Sequence, residues 1–253
     1  MVVGVATDET KQWLVDQGFE IVPMAQANIP VHVLRFVSIY EYLRQNYLKY
    51  RYVITTDVKD VIFQYNAFNW LDAHLGSCEL VAGSEGMLYK DEPWGNDNLM
   101  QSYGPYIHNL CKDNKIYNVG TIGGDSEYVK DMVFNIFTNA TNRPIAICDQ
   151  AVYNVLIQSQ PFFDVTYFAD QADGWACQAG TTVDPSKIEQ FRPHLTEAEP
   201  IWEDGVVKTG QDCYRMSKGN PFAIVHQYDR VPQWKKFIEA KYKVEDLITF
   251  RTN

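Results

Sequence analysis

Short apolar runs rich in β-branched residues alternate with segments of helical period along much of this chain, and no other feature limits its folding options as strongly. Val2–Ala6 reads as a buried strand, after which Thr7 or Asp8 can cap a helix that Gly18 ends. Glu20–Pro23 reads as a second strand, Leu34 to about Leu48 as a helix, and Tyr52–Thr55 as a short β-branched strand. Such alternation predicts an α/β architecture, with a mainly parallel central sheet flanked by helices. The 253 residues suffice for one sizeable core, so residues 1–253 are expected to form a single domain.

The pattern continues downstream. Asn66–His74 predicts a helix, Glu79–Ala82 a strand, and Lys115–Ile122 a strand around Gly120. Asp125 or Ser126 caps a helix through Phe137, Cys148–Gln158 forms another, and Phe162–Phe168 is a strand. Pro221–Val225 predicts a strand ending at His226, and Asp229 caps a last helix with Pro232 in its first turn. Two stretches break the alternation. Tyr89–Pro105, with its Gly, Pro, Asn and Asp, reads as a long loop with at most one helical piece, the kind of segment that serves as a lid. Residues 170–220 are turn-rich and show no clear period.

Composition narrows the function classes. Apolar residues make up 46% of the chain, enough for a packed core and too many for a disordered segment. A net charge of −10 repels polyanions, which argues against nucleic acid as a partner. A diphosphate remains bindable where a metal ion or local cation neutralises it. Cys78, Cys111, Cys148, Cys177 and Cys213 contain no CxxC pair and are odd in number, so they read as buried thiols of a reducing compartment. The start lacks the basic region of a signal peptide, and no stretch approaches the roughly 20 apolar residues of a membrane span. The expectation is a cytoplasmic enzyme or a soluble catalytic fragment, and the sequon at Asn139 reads as incidental.

The most informative segment is Arg51-Tyr-Val-Ile-Thr-Thr-Asp57-Val-Lys-Asp60. A buried strand ends and two carboxylates follow at once, where α/β sheets bind their ligands. Carboxylates there can hold Mg²⁺ or Mn²⁺, which bridges to phosphate oxygens. On spacing alone the same aspartates serve equally well to cap a turn or the next helix. His226 closes a strand and is either a metal-binding imidazole or a histidine bonded to its neighbours. Asp149, after the apolar run Ile145–Ile147, reads as an N-cap, and Asn118 with Gly120 as a turn or bulge. Arg35, Lys218 and Arg230 are solvated charges or partners for an anion. Trp94, Tyr103 and Trp175 fall in loop segments, where aromatic faces stack on sugar rings or simply pack. His32, His74, His108 and His194 have no setting that suggests chemistry.

Four segments, taken together, resemble the GT-A fold glycosyltransferases that use nucleotide-sugar donors. TTDVKDVIFQYNAF resembles their Asp-x-Asp strand-loop, and Tyr117-Asn118-Val119-Gly120-Thr121-Ile122-Gly123 their Asn-x-Gly segment. Asp149-Gln150-Ala-Val-Tyr-Asn154 resembles their Asp-Gln-x-x-x-Asn helix start, and Val225-His226-Gln227-Tyr228 the late strand that ends in a metal-binding histidine. The order matches the family's, and the likeness is closest to small transferases, including some of large DNA viruses. One departure stands out: two residues separate the aspartates instead of one, so Asp60 takes the place of the final aspartate.

The resemblance implies a Rossmann-like nucleotide-binding half over about residues 1–115 and a sugar and acceptor half over about 116–253. It implies metal-dependent transfer of a sugar from a nucleoside-diphosphate donor, UDP-linked first of all, to a hydroxyl acceptor on a glycan or other molecule. Asp57, Asp60 and His226 would hold Mn²⁺ or Mg²⁺. Ala6, Thr7 and Asp8 would meet the base and ribose, and Asp57 the ribose or the metal; Arg35, early in a helix facing the same sheet edge, is the candidate partner of the diphosphate. Asn118, Gly120 and Gln150 would lie beside the sugar. Asp149 would be the base that takes the acceptor's proton if the enzyme inverts. A sugar-phosphate nucleotidyltransferase would need a Gly-rich basic loop where this chain has Ala6-Thr7-Asp8-Glu9. A non-catalytic nucleotide-sugar or carbohydrate-binding domain on the same fold is the alternative from another class.

Overall fold

The computed structural model describes residues 1–4, 7–210 and 219–242. The chain opens with β1 (Val2–Val3), α1 (Asp8–Asp16) and β2 (Ile21–Val22), and the two strands pair in parallel. The helix α2 (Val31–Asn46) leads to β3 (Tyr52–Thr56), β4 (Val61–Phe63) and α3 (Ala67–His74). Asn66 starts α3 by accepting from the Phe68 N–H at 3.1 Å. Next come β5 (Leu80–Leu88), α4 (Pro93–Cys111), β6 (Lys115–Tyr117), β7 (Thr121–Asp125), α5 (Ser126–Ala140) and α6 (Asp149–Ile157). The remainder is β8 (Thr166–Ala169), β9 (Ala176–Gln178), α7 (Ala179–Thr182), α8 (Ile188–Phe191), the β10 (Ile201–Glu203) and β11 (Val206–Lys208) hairpin, β12 (Ile224–His226) and α9 (Pro232–Tyr242).

The central sheet has the order β3-β7-β5-β6, with β8 also paired to β5. Its β3–β7, β7–β5 and β5–β6 ladders are antiparallel, and β5–β8 is parallel. The sheet is therefore mixed, which corrects the expectation of a mainly parallel one. Alternating strands and helices report layers, not strand direction, and the β6–β7 connection is a short turn that needs no crossover helix. A second sheet, β4-β12-β9, pairs β12 antiparallel to β4 and parallel to β9.

Alternation along β5 joins the layers. Leu80 and Ala82 pack with Val33 and Phe36 of α2, Met132 and Ile136 of α5, and Val152 of α6, while Val81 packs on the opposite face. There Trp70 and Leu71 of α3 meet Trp175, whose fully buried ring also packs with Ala223 and Ile224 below the second sheet. The Trp175 indole N–H donates to the Thr121 carbonyl at 3.1 Å. Gly123 makes room for this ring: a Cβ there would stand 2.7 Å from it. The far side of the second sheet is covered by Trp234 and Ile238 of α9, packed with Val225.

Several sequence readings need revision. Tyr89–Pro105 is not a loop, because α4 starts at Pro93 behind a Glu92 cap. A break at Gly104 (φ 74°, ψ 176°) accommodates Pro105 within it. The strand expected at Glu79–Ala82 runs on to Leu88. Lys115–Ile122 is two strands around a turn, and only the end of Phe162–Phe168 is strand. Asp229 sits in a turn ahead of α9. Trp175 is core, not a loop aromatic. Cys78, Cys111, Cys148 and Cys177 are free thiols, each pushed above the ordinary thiol pKa by burial, and Cys213 lies outside the described residues. Among the described residues no helix is long and apolar enough to cross a membrane.

Candidate active site

Three chain segments meet at the edge where the two sheets approach. β3 delivers Asp57, whose N–H donates to the Gly120 carbonyl at 3.3 Å, one step beyond the β3–β7 ladder. β12 delivers His226 opposite Val61, and the Gln227 N–H donates to the Asp60 carbonyl at 2.7 Å. His226 Nε2 lies 3.4 Å from Asp57 Oδ2 and 3.9 Å from Asp60 Oδ1. One ligand atom from each of the three falls within 4.8 Å of the others.

The hydrogen-bond network assigns the histidine's tautomer. Gln178 Nε2 donates to Thr121 Oγ1 at 2.9 Å, which turns Gln178 Oε1 toward His226 Nδ1 at 2.8 Å. Nδ1 then carries a proton and donates it, which leaves Nε2 as the nitrogen that faces the aspartates. His226 is 2% exposed and its Nε2 has no hydrogen-bond partner. Beside two carboxylates that nitrogen is stabilised by a proton of its own or by a metal cation between the three groups. One imidazole nitrogen with two carboxylate oxygens is a donor set that fits Mn²⁺ or Mg²⁺. Gly120 leaves the space open: its Cβ would come within 2.9 Å of both His226 Cε1 and Asn118 Oδ1, and 3.1 Å of Asp57 Oδ2.

Burial raises the pKa of Asp57, but His226 in its protonated form and Arg35 outweigh it and hold the carboxyl down to about 2. Asp60 goes the other way, raised by burial and by the charges of Asp57 and Asp229 despite His226. The Arg35 guanidinium bridges two carboxylates, donating to Asp57 and, at 3.0 Å, to Asp149 Oδ2. Asp149 is the first residue of α6 rather than its cap, a position that Cys148 holds.

A cleft of about 700 Å³ opens over this group, lined by Asp57, Asp60, His226, Arg35, Asp149, Gln150, Asn118 and Gly120. Trp94, Lys187 and Arg230 also line it. A second cleft of about 700 Å³, between the N-terminal strand, α2 and β3, carries Tyr42, Tyr52 and Ile54 on its walls. The two clefts share His32, Arg35, Asp57 and Val58.

No protein-family model matches the chain, and no curated protein matches it. Among solved structures the chain is similar to the crystal structure of a glycosyltransferase involved in the glycosylation of the major capsid of PBCV-1. Identity is 9% and the TM-score 0.42, with 89% of this chain and 88% of that chain covered. A likeness of this size leaves the chemistry to be read from the side chains themselves.

The remaining candidates separate cleanly. Thr7 does local work, accepting from the Thr10 N–H at 3.2 Å, and exposed Asp8 pairs with Lys11 at 2.9 Å. Neither lines either cleft, whereas Val2, Val3 and Gly4 line the second. Ala6 and Lys218 lie outside the described residues. Tyr103 packs under Arg143, whose guanidinium carbon is 3.8 Å from the ring centre, and half-exposed Trp94 alone of the three flagged aromatics reaches a cleft. Sequence reasoning passed over His32, which lines both clefts, and Gln178, which orients His226. It also missed Glu85, a buried carboxylate on the cleft wall. The available signal for Glu85 was a lone charge set among apolar and small residues after a strand.

Proposed function

We propose that this chain is a metal-dependent glycosyltransferase, moving a sugar from a nucleoside-diphosphate donor, UDP-sugars first among them, to a hydroxyl acceptor. The observation that carries this reading is the buried, unpartnered Nε2 of His226, facing two carboxylates where β3 ends. Asp57, Asp60 and His226 would hold Mn²⁺ or Mg²⁺. When bound, the ion stabilises the negative charge that grows on the departing diphosphate.

The chain's own residues divide the remaining work. The cleft bearing Tyr42, Tyr52 and Ile54 suits a nucleoside, and the one bearing Asn118 and Gln150 suits a sugar. Their junction, at Arg35 and Asp57, is where a diphosphate linking the two would lie, with Arg35 as its cationic partner. Asn118 and Gln150 would bond sugar hydroxyls. A diphosphate that draws the Arg35 guanidinium away from Asp149 leaves a free carboxylate beside the donor sugar. Asp149 then takes the proton of the acceptor hydroxyl as it attacks, if the reaction inverts.

Incubation with a panel of UDP- and GDP-sugars and Mn²⁺ tests the reading through release of free nucleotide. Metal-dependent release, abolished by Asp60→Ala, supports it. Tight donor binding without turnover, even with acceptors supplied, would make the chain a binding domain instead.

A further inference from the structure

We propose that Glu85 determines sugar specificity, selecting neutral, hydroxyl-bearing donor sugars and rejecting uronic acids. The inference rests on the glycosyltransferase reading and adds the class of sugar.

Glu85 is 6% exposed, lies within β5 and lines the cleft over Asp57, Asp60 and His226. Three side chains converge on it. Asn118 Nδ2 donates to Oε1 at 2.8 Å, Gln150 Nε2 to Oε1 at 3.0 Å, and Thr181 Oγ1 to Oε2 at 2.9 Å. They come from three places, the β6–β7 turn, α6 and α7, and all three line the same cleft. No ion pair joins Glu85 to a lysine, arginine or histidine among the described residues.

That combination is costly for a purely structural role. A buried carboxylate without a cation is expensive, and a glutamine would hold two or three polar neighbours without the charge. A carboxylate offers about four acceptor sites, and the three bonds here use two on Oε1 and one on Oε2. The remaining Oε2 site suits a hydroxyl donor. Position identifies that donor's origin. Asn118 also accepts from the Gly120 N–H at 2.7 Å, and Gly120 abuts both Asp57 and His226. Two residues, Asn118 and Gly120, therefore separate Glu85 from the Asp57, Asp60 and His226 trio, which is where a sugar attached to a diphosphate held there would lie. A neutral sugar brings hydroxyl protons to Glu85. A uronic acid brings a further negative charge against Glu85, in a cleft that Asp57, Asp60 and Asp149 also line, which disfavours it by on the order of 100-fold.

Matched donor pairs test this: UDP-glucose against UDP-glucuronate, UDP-galactose against UDP-galacturonate, and GDP-mannose against GDP-mannuronate, each with Mn²⁺. The wild type should favour a neutral member by about 100-fold in kcat/KM. Glu85→Gln should raise KM for the neutral donor about tenfold or more, shrink the neutral-to-uronate ratio to below about tenfold, and leave Mn²⁺ affinity unchanged. Glu85→Asp should restore part of the ratio. An unchanged ratio in folded Glu85→Gln would overturn the assignment. So would a wild type indifferent to the pair or preferring the uronate, which Lys187 in the same cleft could attract. If Glu85→Gln fails to fold, the wild-type ratio and Glu85→Asp decide. A wild type that binds no donor of either class with Mn²⁺ sinks the glycosyltransferase reading itself, and this inference with it.

Discussion

Two polar clusters sit by the two edge strands of the central sheet, one at β6 and one at β3, and they are finished differently. At the start of β6, Lys115 Nζ lies 2.7 Å from Asp170 Oδ1 and 2.9 Å from Glu197 Oε1. Glu197 also accepts from Ser84 Oγ at 2.6 Å and from the Gln171 N–H. Burial raises the Glu197 pKa while Lys115 works against it, so an opposite charge faces the carboxylate. At the end of β3, by contrast, two carboxylates face one ring nitrogen that nothing satisfies. The first cluster is closed and ties the segment after α8 to the sheet. The second leaves a buried nitrogen without a hydrogen-bond partner, and it is there that we propose the ion binds.

Substitutions that treat the two clusters alike should therefore have unlike effects. The largest is expected from Asp60→Asn. Mn²⁺-dependent nucleotide release should fall about 1000-fold, while the thermal midpoint holds or rises as like-charge repulsion with Asp57 is relieved. A large drop in the midpoint would show that the open cluster is structural after all. Glu197→Ala should do the reverse, costing about 3 kcal/mol in denaturant unfolding because Lys115 loses a buried partner. Activity per folded molecule should be retained; loss of activity without loss of stability would break the contrast.

Smaller changes sharpen the comparison. Gly120→Ala puts a methyl 2.9 Å from His226 Cε1, and Mn²⁺ affinity by calorimetry should fall about 10- to 100-fold. Gln178→Leu removes the acceptor that fixes the His226 tautomer, and affinity should fall about tenfold. Unaltered affinity in both would mean that the ion, if bound, does not use Nε2.

How far the sequence foretells this depends on how local each signal is. The helix α3, the amphipathic α5 and the β12 run into His226 are written in neighbouring residues, and each is found where expected. Strand direction is not local. β7 lies antiparallel between β3 and β5, an arrangement that alternation of elements does not encode. Gly-Ser-Glu-Gly at positions 83–86 has turn composition, yet it continues β5 because burial and pairing override propensity. Glu85 lies in that continuation, beyond the strand that the sequence pattern ends at Ala82. Glycines, asparagines and Pro105 disguised α4, whose helix tolerates them through a break at Gly104. The Asp57, Asp60 and His226 trio was legible because each follows directly on an apolar strand or its turn. Gln178 was not, since it lies in the turn-rich stretch 170–220, where no period marks which residues face a site.

The most direct measurement is crystallography on crystals grown with Mn²⁺ and UDP, using anomalous scattering at the manganese edge. A peak coordinated by Asp57, Asp60 and His226 Nε2, with the diphosphate reaching the same ion, is the expected result. Density with no manganese at that position, and a proton-sharing contact between His226 and Asp57 in its place, would contradict it.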